Sequence, residues 1–125
     1  MHVLVLCDDY YHPAQTVRDG LAPLAGEAFQ FEFIEDARDW SAEAMANYRA
    51  VLFAKSNDVS SEDRSAWMTE DVGLAFRDYV RAGGGLLAVH SGTAGYQETP
   101  TFRGLLGGVF LQHPKQCPVT VTPMN

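Results

Sequence analysis

Three short runs of apolar residues recur along the chain, at positions 3–7, 50–54 and 86–89. Each run is rich in branched side chains and is bounded by polar residues or glycine, a pattern typical of parallel strands buried on both faces. The stretch 29–33 alternates phenylalanine with glutamine and glutamate, which predicts a strand with one solvated face near a sheet edge. The sequence PVTVT at 118–122 also alternates and predicts a further strand.

Helical periodicity lies between these runs. The strongest signal starts after Thr69, where apolar residues recur at i, i+4, i+7 and i+8 from Val72, and the predicted helix ends at Gly83. A helix is also predicted after Pro13, and Pro23 is expected to shorten or kink it.

A third helix, with a weaker pattern, is predicted over 41–48, where Ser41 can cap the first turn. The order of elements then reads βαβαβαβ, which implies right-handed crossovers and helices on both faces of a sheet. We therefore predict a single domain over residues 1–125, with an α/β, flavodoxin-like, doubly wound fold and a mostly parallel sheet.

Composition and charge narrow the possible partners. The chain has 125 residues, of which 46% are hydrophobic, and this is enough to bury a core. The formal net charge is -7 and the nine Lys and Arg residues are scattered, so we expect no nucleic-acid partner. No segment has the pattern of a signal peptide or a membrane span, so we expect a cytoplasmic protein with no membrane partner. Cys7 and Cys117 fall in strand-like segments and are predicted to be two buried free thiols.

Polar residues follow each apolar run, at the positions where α/β sheets bind ligands. These residues are Asp8, Asp9 and His12 after the first run, Lys55, Ser56 and Asn57 after the second, and His90, Ser91 and Gly92 after the third. Asp8 is expected to act as a turn or capping residue, or to support a histidine from behind. The sequence therefore predicts a polar, histidine-rich site at the carboxyl ends of the strands.

The segment GGGLLAVHSGTAG at 83–95 carries the clearest chemical signal. A buried strand leads directly into His90, with Ala88 two residues before it and Gly92 two residues after it. Small residues at those positions permit a sharp strand-to-helix turn that lifts the central side chain into a cleft. An elbow centred on Ser91 fits this pattern less well. The glycines at 83–85 precede a strand, so they are interpreted as a helix cap and turn and not as a phosphate loop.

Three stretches together resemble the ThuA-like (trehalose utilisation) family of the class I glutamine amidotransferase-like superfamily. They are GGGLLAVHSGTAGY at 83–96, the following FRGLLGG, VF and QHP, and the spacing C-x-x-x-x-H from Cys7 to His12. The resemblance implies a flavodoxin-like sandwich in which His90 stands where amidotransferases carry their cysteine, so Cys-dependent glutaminase chemistry is not expected. It also implies a role in carbohydrate utilisation, with a disaccharide or keto-sugar as ligand. Family domains continue beyond a segment like 112–121, so the resemblance implies a domain shortened at its C-terminus.

The three histidines His12, His90 and His113 are the main candidates for chemistry. His90 is predicted to be the catalytic residue, as a general acid or base or a metal ligand, and the structural alternative is a histidine satisfied beside a tight turn. The resemblance also places a histidine at position 12. If the fold brings the three together they could bind a divalent metal such as zinc, although they form no local H-x-x-x-H pair. A capping or loop role is the alternative for both His12 and His113.

Further residues are predicted to contact the ligand. His12, Ser91, Tyr96 and His113 are the expected substrate-binding residues. Aromatic residues that could stack on a sugar ring are Trp40, Trp67, Tyr10, Tyr11 and Tyr96, with ordinary core packing favoured for the two tryptophans.

Two classes of function are consistent with these observations. The first is a ThuA-like protein of carbohydrate utilisation with a histidine-centred cleft, and whether it is an enzyme is left open. The second is a non-catalytic domain that binds a small ligand or a partner on the same scaffold, because one fold hosts many functions. The expected partner is a small carbohydrate, and a homodimer that buries an edge strand is the expected assembly.

Overall fold

Four parallel strands form one sheet in the order β2-β1-β3-β4. In this computed structural model, which describes residues 1–124, they are β1 (His2–Leu6), β2 (Gln30–Ile34), β3 (Ala50–Phe53) and β4 (Gly85–Ala88). The two inner strands, β1 and β3, are paired along their length on both sides. The predicted α/β, flavodoxin-like fold is confirmed, and β2 lies at a sheet edge as its alternating pattern indicates.

An α-helix follows each strand along the chain. They are α1 (Ala14–Leu21), α2 (Ala42–Met45), α3 (Glu70–Arg81) and α4 (Pro100–Leu106), with 3-10 turns at Ala22–Leu24, Ala37–Asp39 and His90–Thr93. The Thr69 side chain caps α3 by accepting from the Val72 amide, and Ser41 caps α2 in the same way. The helix predicted over 41–48 is shorter than expected, since only one α-helical turn forms there.

The two faces of the sheet bury different cores. On one face, Phe53 and Val51 of β3 pack with the aromatic residues of α3 and α4, and Phe53 and Phe76 have no exposed surface. On the other face, smaller residues of β1 such as Val5 pack against Ala14 of α1. Burying one large apolar side chain stabilises a fold by about 1.5–3 kcal/mol, and Phe53, Phe76 and Phe102 on the first face, called the aromatic face below, are fully buried.

Two predictions about the outer parts of the sheet are wrong. β4 is not buried on both faces: Leu87 and Val89 are 59% and 41% exposed, because Leu86 and Ala88 pack against a hydrophobic core whereas Leu87 and Val89 join neither core. The segment 118–122 forms no strand, and Val119 and Val121 are more than 80% exposed. An alternating pattern forms a strand only where a neighbouring strand and an apolar face receive it, and this segment has neither within residues 1–124.

The cysteine prediction is half right. Cys7 is fully buried at the end of β1, whereas Cys117 is exposed in the extended segment that follows α4. The two differ because only Cys7 belongs to a paired part of the sheet. Within residues 1–124, no helix combines the length and the apolar character needed to cross a membrane.

Candidate functional site

The backbone turns sharply where β4 ends, and this turn presents His90. His90 has a φ of +51°, a left-handed backbone conformation that is uncommon for any residue other than glycine. A Cβ on Gly92 would lie 1.9 Å from the carbonyl oxygen of Phe53, so only glycine fits there. The same carbonyl accepts a hydrogen bond from the Val89 amide. The predicted elbow is therefore present, and β3 fixes it in place.

A second tight turn follows β1 and holds His12. Asp9 and His12 exchange two backbone hydrogen bonds, of 3.1 and 3.2 Å. The Asp9 side chain closes the turn, because its Oδ1 accepts from the Tyr11 and His12 amides at 3.0 Å each. Asp9 itself has no exposed surface.

The Asp9 carboxylate lies directly behind the His12 ring. Its Oδ1 is 2.7 Å from Nδ1 of His12, and its Oδ2 accepts from the Ser56 amide at 2.9 Å. Burial opposes ionisation of Asp9, but hydrogen bonds from the Ser56 amide, His12 and the Ser91 side chain outweigh it, so the pKa lies below its ordinary value. Asp9 is therefore ionised at neutral pH and accepts from Nδ1–H of His12.

The His12 and His90 rings meet edge to face. Their Nε2 atoms are 3.0 Å apart, and their ring centroids are 4.7 Å apart. A hydrogen bond between two imidazole nitrogens needs one proton, not two. Because Nδ1 of neutral His12 donates to Asp9, its Nε2 carries a lone pair and accepts from Nε2–H of His90. This tautomer leaves Nδ1 of His90 unprotonated, and that atom has no hydrogen-bond partner within residues 1–124.

Asp8 and Lys55 hold the loops around this pair. Asp8 has φ of +74°, and its carboxylate accepts from the Ala14 amide at the start of α1 and from the Ser61 amide. The expected capping role of Asp8 is confirmed, whereas the aspartate behind a histidine is Asp9. Lys55 is fully buried, and its ammonium donates to three backbone carbonyls at 2.6–3.0 Å. These contacts fix the loops after β1 and β3 relative to each other.

His12 and His90 lie on the wall of a cleft of about 850 Å³ at the carboxyl ends of the strands. The other lining residues come from the loops after β1, β3 and β4 and from the segment after α4, and they are Tyr11, Ser56, Asn57, Asp58, Arg64, Ala66, Ser91, Thr93, Ala94, Gly95, Phe110 and His113. The cleft combines aromatic surface with hydroxyl, amide and charged groups, a mixture common in small-molecule sites.

Two of the predicted substrate-binding residues have other roles. Tyr96 has no exposed surface, and its hydroxyl donates to the Lys55 carbonyl at 2.7 Å, so it supports the site from the core and does not line the cleft. Burial raises its pKa well above the ordinary range for tyrosine. Ser91 lies at the cleft wall but is only 5% exposed, and it helps to lower the pKa of Asp9. The prediction for Tyr96 is wrong because its place in the elbow sequence does not show on which side of the backbone the ring lies.

The predicted zinc site is not assembled. His113 lines the cleft, but its ring lies against Phe110, with the centroids 4.7 Å apart. Within residues 1–124, no group of three or more His, Cys, Asp and Glu side chains is placed so that it could hold a metal ion. The Nε2 atoms of His12 and His90 face each other in a hydrogen bond, so we assign no chemical step to a metal.

The stacking residues divide between core and cleft. Trp40 and Trp67 pack with Phe76 on the aromatic face of the sheet, in the core-packing role that the sequence analysis favoured for both tryptophans. Tyr11 is 68% exposed and lines the cleft. Phe110 lines the same cleft, although it is not among the ligand contacts predicted from the sequence.

The sequence analysis also misses Arg64. Arg64 lies in the long loop between β3 and α3, where no motif or periodicity distinguishes one polar residue from another. Asp9, by contrast, is among the predicted polar residues, but its burial and its bond to His12 give no signal in the sequence.

A parallel sheet in this order, with a histidine on a strained turn after β4, defines a flavodoxin-like α/β protein that carries its polar cleft at the strand ends. The family model described as ThuA, trehalose utilisation, matches residues 2–125. The chain belongs to the ThuA family, and this membership supports a role in trehalose or carbohydrate utilisation. Comparison with curated proteins and with solved structures finds no match.

Proposed function

We propose that the protein binds a carbohydrate in the cleft and that His90 transfers a proton to or from it as a general acid or base. The observation that carries this proposal is the hydrogen-bonded chain from Asp9 through His12 to His90, with bonds of 2.7 and 3.0 Å. In acid–base catalysis, a carboxylate often orients an imidazole, and the imidazole in turn bonds the residue that acts on the substrate. Here Asp9 is the carboxylate, His12 is the imidazole and His90 is the residue at the cleft.

The tautomers define the direction of proton transfer. Nδ1 of His90 is the unprotonated atom, and imidazole accepts and releases protons near neutral pH. When His90 takes a proton from a sugar hydroxyl, the positive charge is shared across the Nε2–Nε2 bond with His12. The buried Asp9 carboxylate, 2.7 Å from His12, stabilises that charge. Return of the proton from His90 to a sugar oxygen reverses the same path.

Family membership and cleft chemistry both favour a carbohydrate ligand. The matching family is described by trehalose utilisation, so we propose a disaccharide or keto-sugar. Tyr11 and Phe110 offer aromatic surface that packs against the C–H face of a sugar ring. The Asn57 and Ser56 side chains line the same cleft and can bond hydroxyl groups, although the Asn57 side chain also donates to Gly95 and accepts from two amides.

Substitution of the histidines tests this proposal. His90→Ala is expected to reduce turnover of the carbohydrate by about 10²- to 10⁴-fold, because a positioned acid or base contributes about that factor. Asp9→Asn is expected to reduce turnover by a smaller factor, because an amide cannot compensate the charge on His12. His2→Ala is the matched control, since His2 is an exposed residue at the amino end of β1, whereas the cleft lies at the carboxyl ends of the strands. Turnover of trehalose and keto-sugars is followed by proton NMR, and binding by calorimetry.

The outcomes separate the proposal from its rival. Full turnover in a folded His90→Ala protein contradicts the proton-transfer role. If the wild type binds sugars without any turnover and His90→Ala weakens that binding, the protein is a non-catalytic ligand-binding domain on the same scaffold. The second outcome retains the cleft as the site and rejects only its chemistry.

A further inference from the structure

Arg64 is a charged residue of the cleft wall that has no acidic partner. It is exposed and lines the cleft together with His12 and His90. Arg18 and Arg38, by contrast, form ion pairs with carboxylates. Within residues 1–124, the Arg64 guanidinium makes no salt bridge and no hydrogen bond, so its N–H donors remain available.

Two tyrosines hold the Arg64 guanidinium in place. Its Cζ lies 4.3 Å from the ring centroid of Tyr10 and 5.6 Å from that of Tyr11. Contact of a guanidinium with an aromatic face retains its in-plane N–H groups for other partners. The arrangement thus limits the freedom of a long side chain at the cleft before any ligand arrives, which reduces the entropy lost on binding.

Within residues 1–124, no carboxylate lies within salt-bridge distance of the Arg64 guanidinium. Asp58 is the single acidic residue that lines it among residues 1–124, and its Oδ2 already accepts from the Ser56 hydroxyl at 2.9 Å and the Tyr10 amide at 3.4 Å. The remaining charged or titratable side chains on the cleft wall are the three histidines and Tyr11. The Arg64 guanidinium is therefore available to pair with an anionic group of a ligand.

We infer that the cleft selects an acidic carbohydrate, whose carboxylate or phosphate group binds Arg64 while its ring lies toward His90. This inference rests on the proposed function, because it assigns a ligand class to the same site. Guanidinium groups bind carboxylates and phosphates through two parallel hydrogen bonds, and the planar fork of arginine suits both anions. The net charge of -7 provides no general attraction for anions, so the selectivity depends on Arg64 itself.

Calorimetry with matched pairs of sugars tests the inference. The probes are glucose against glucuronate and glucose 6-phosphate, and trehalose against trehalose 6-phosphate. We expect at least one acidic sugar to bind tenfold or more tightly than its neutral counterpart, which is about the contribution of one charge-assisted bidentate pair. Comparison of glucuronate with glucose 6-phosphate shows which anion the site takes.

Three variants make the measurement specific. Arg64→Gln is expected to weaken binding of the acidic sugar by tenfold or more and so to remove its preference over the neutral counterpart, since the charged contact is lost. Arg64→Lys, which keeps the charge but lacks the fork, is expected to retain part of the preference. Arg81→Gln is the control, because Arg81 is an exposed residue at the C-terminal end of α3 and does not line the cleft.

Each result has a distinct meaning. Equal affinity for acidic and neutral sugars, unchanged by Arg64→Gln but weakened by His90→Ala, overturns the inference and retains the proposed function. An acidic preference that persists in Arg64→Gln also overturns it. Failure of every sugar in the panel to bind overturns both the inference and the proposed function.

Discussion

At the scale of single residues, burial and hydrogen bonding decide what each polar group can do. Asp8 and Asp9 are neighbours in the sequence, yet Asp8 caps α1 and Asp9 lies behind His12. His90 and Ser91 are also neighbours and both line the cleft, but His90 is exposed whereas Ser91 is only 5% exposed. The residue type alone would not separate the members of either pair.

The two cysteines are expected to react at very different rates. Burial raises the pKa of Cys7 to about 11, so its thiol remains protonated at pH 8, whereas Cys117 is exposed. Because the thiolate is the reactive form, alkylation of Cys7 by iodoacetamide should be about two orders of magnitude slower than that of Cys117. Peptide mass spectrometry over time measures both rates.

Cys117→Ser provides the control for this experiment. The variant should take up almost no label when native and one label after unfolding in urea. Equal labelling of both cysteines in the native protein would show that Cys7 is not buried as described.

At the scale of elements, the junction between β4 and the turn His90–Thr93 is the most constrained part of the site. Its position depends on the neighbouring strand β3, whose last residue Phe53 accepts from Val89 and approaches Gly92 closely. The outer edge of β4 lacks such a neighbour among the described residues. The elbow is therefore held from one side of the sheet.

Gly92→Ala is expected to destabilise the protein by about 3 kcal/mol and to displace His90. The added Cβ would lie 1.9 Å from the Phe53 carbonyl oxygen, a backbone atom in the middle of the fold that cannot move cheaply. Urea unfolding measures the change in the free energy of unfolding.

Gly104→Ala is the matched control, because Gly104 lies in α4 and a Cβ there meets nothing within 4 Å. Alanine favours helix over glycine, so this variant should be unchanged or more stable by up to about 1 kcal/mol. Equal stability of the two variants would contradict the close contact at Gly92.

At the scale of the whole molecule, the Asp8 carboxylate and the Lys55 ammonium couple the loops of the site to stability. Asp8 joins the start of α1 to Ser61, and Lys55 joins the carbonyls of Asp8, Asp58 and Val59. These contacts link the segments after β1 and β3, so loss of one carboxylate charge should affect the fold as well as the cleft. The expected cytoplasmic location and homodimer remain predictions.

Stability is expected to fall at acid pH through Asp8 and Asp9. Burial opposes ionisation of Asp8, but hydrogen bonds from Ser61 and Ala14 outweigh it, so its pKa, like that of Asp9, lies below the ordinary value of 3.8. The unfolded chain therefore binds more protons as the pH falls through 3.8. The stabilising effect of both carboxylates is complete above that pH and is lost as the pH falls through the folded-state pKa values.

Asp8→Asn tests this origin of the acid sensitivity. The variant should be less stable than the wild type at pH 7, and the difference should shrink between pH 4 and pH 2 as the wild-type carboxylate is protonated. Thermal unfolding at several pH values measures this difference, and Asp39→Asn, at an exposed position, is the control. A difference that is independent of pH would assign the stability to packing.

Local patterns predicted much of the fold because they depend on short-range physics. The apolar runs, the spacing from Val72 in α3 and the small residues around His90 each restrict the backbone within a few residues. The segment 118–122 has an equally clear pattern but forms no strand, because strand formation needs a partner that the pattern cannot supply.

Periodicity and the order of the strands were enough to predict the fold class, the elbow and which loops share one edge of the sheet. Which polar groups meet there followed only from the folded structure. His12 and His90 are 78 positions apart and bond through their Nε2 atoms, Tyr96 turns into the core, and Arg64 reaches the cleft from a loop without a motif. Such contacts depend on side-chain direction and long-range packing, which leave no local pattern in the sequence.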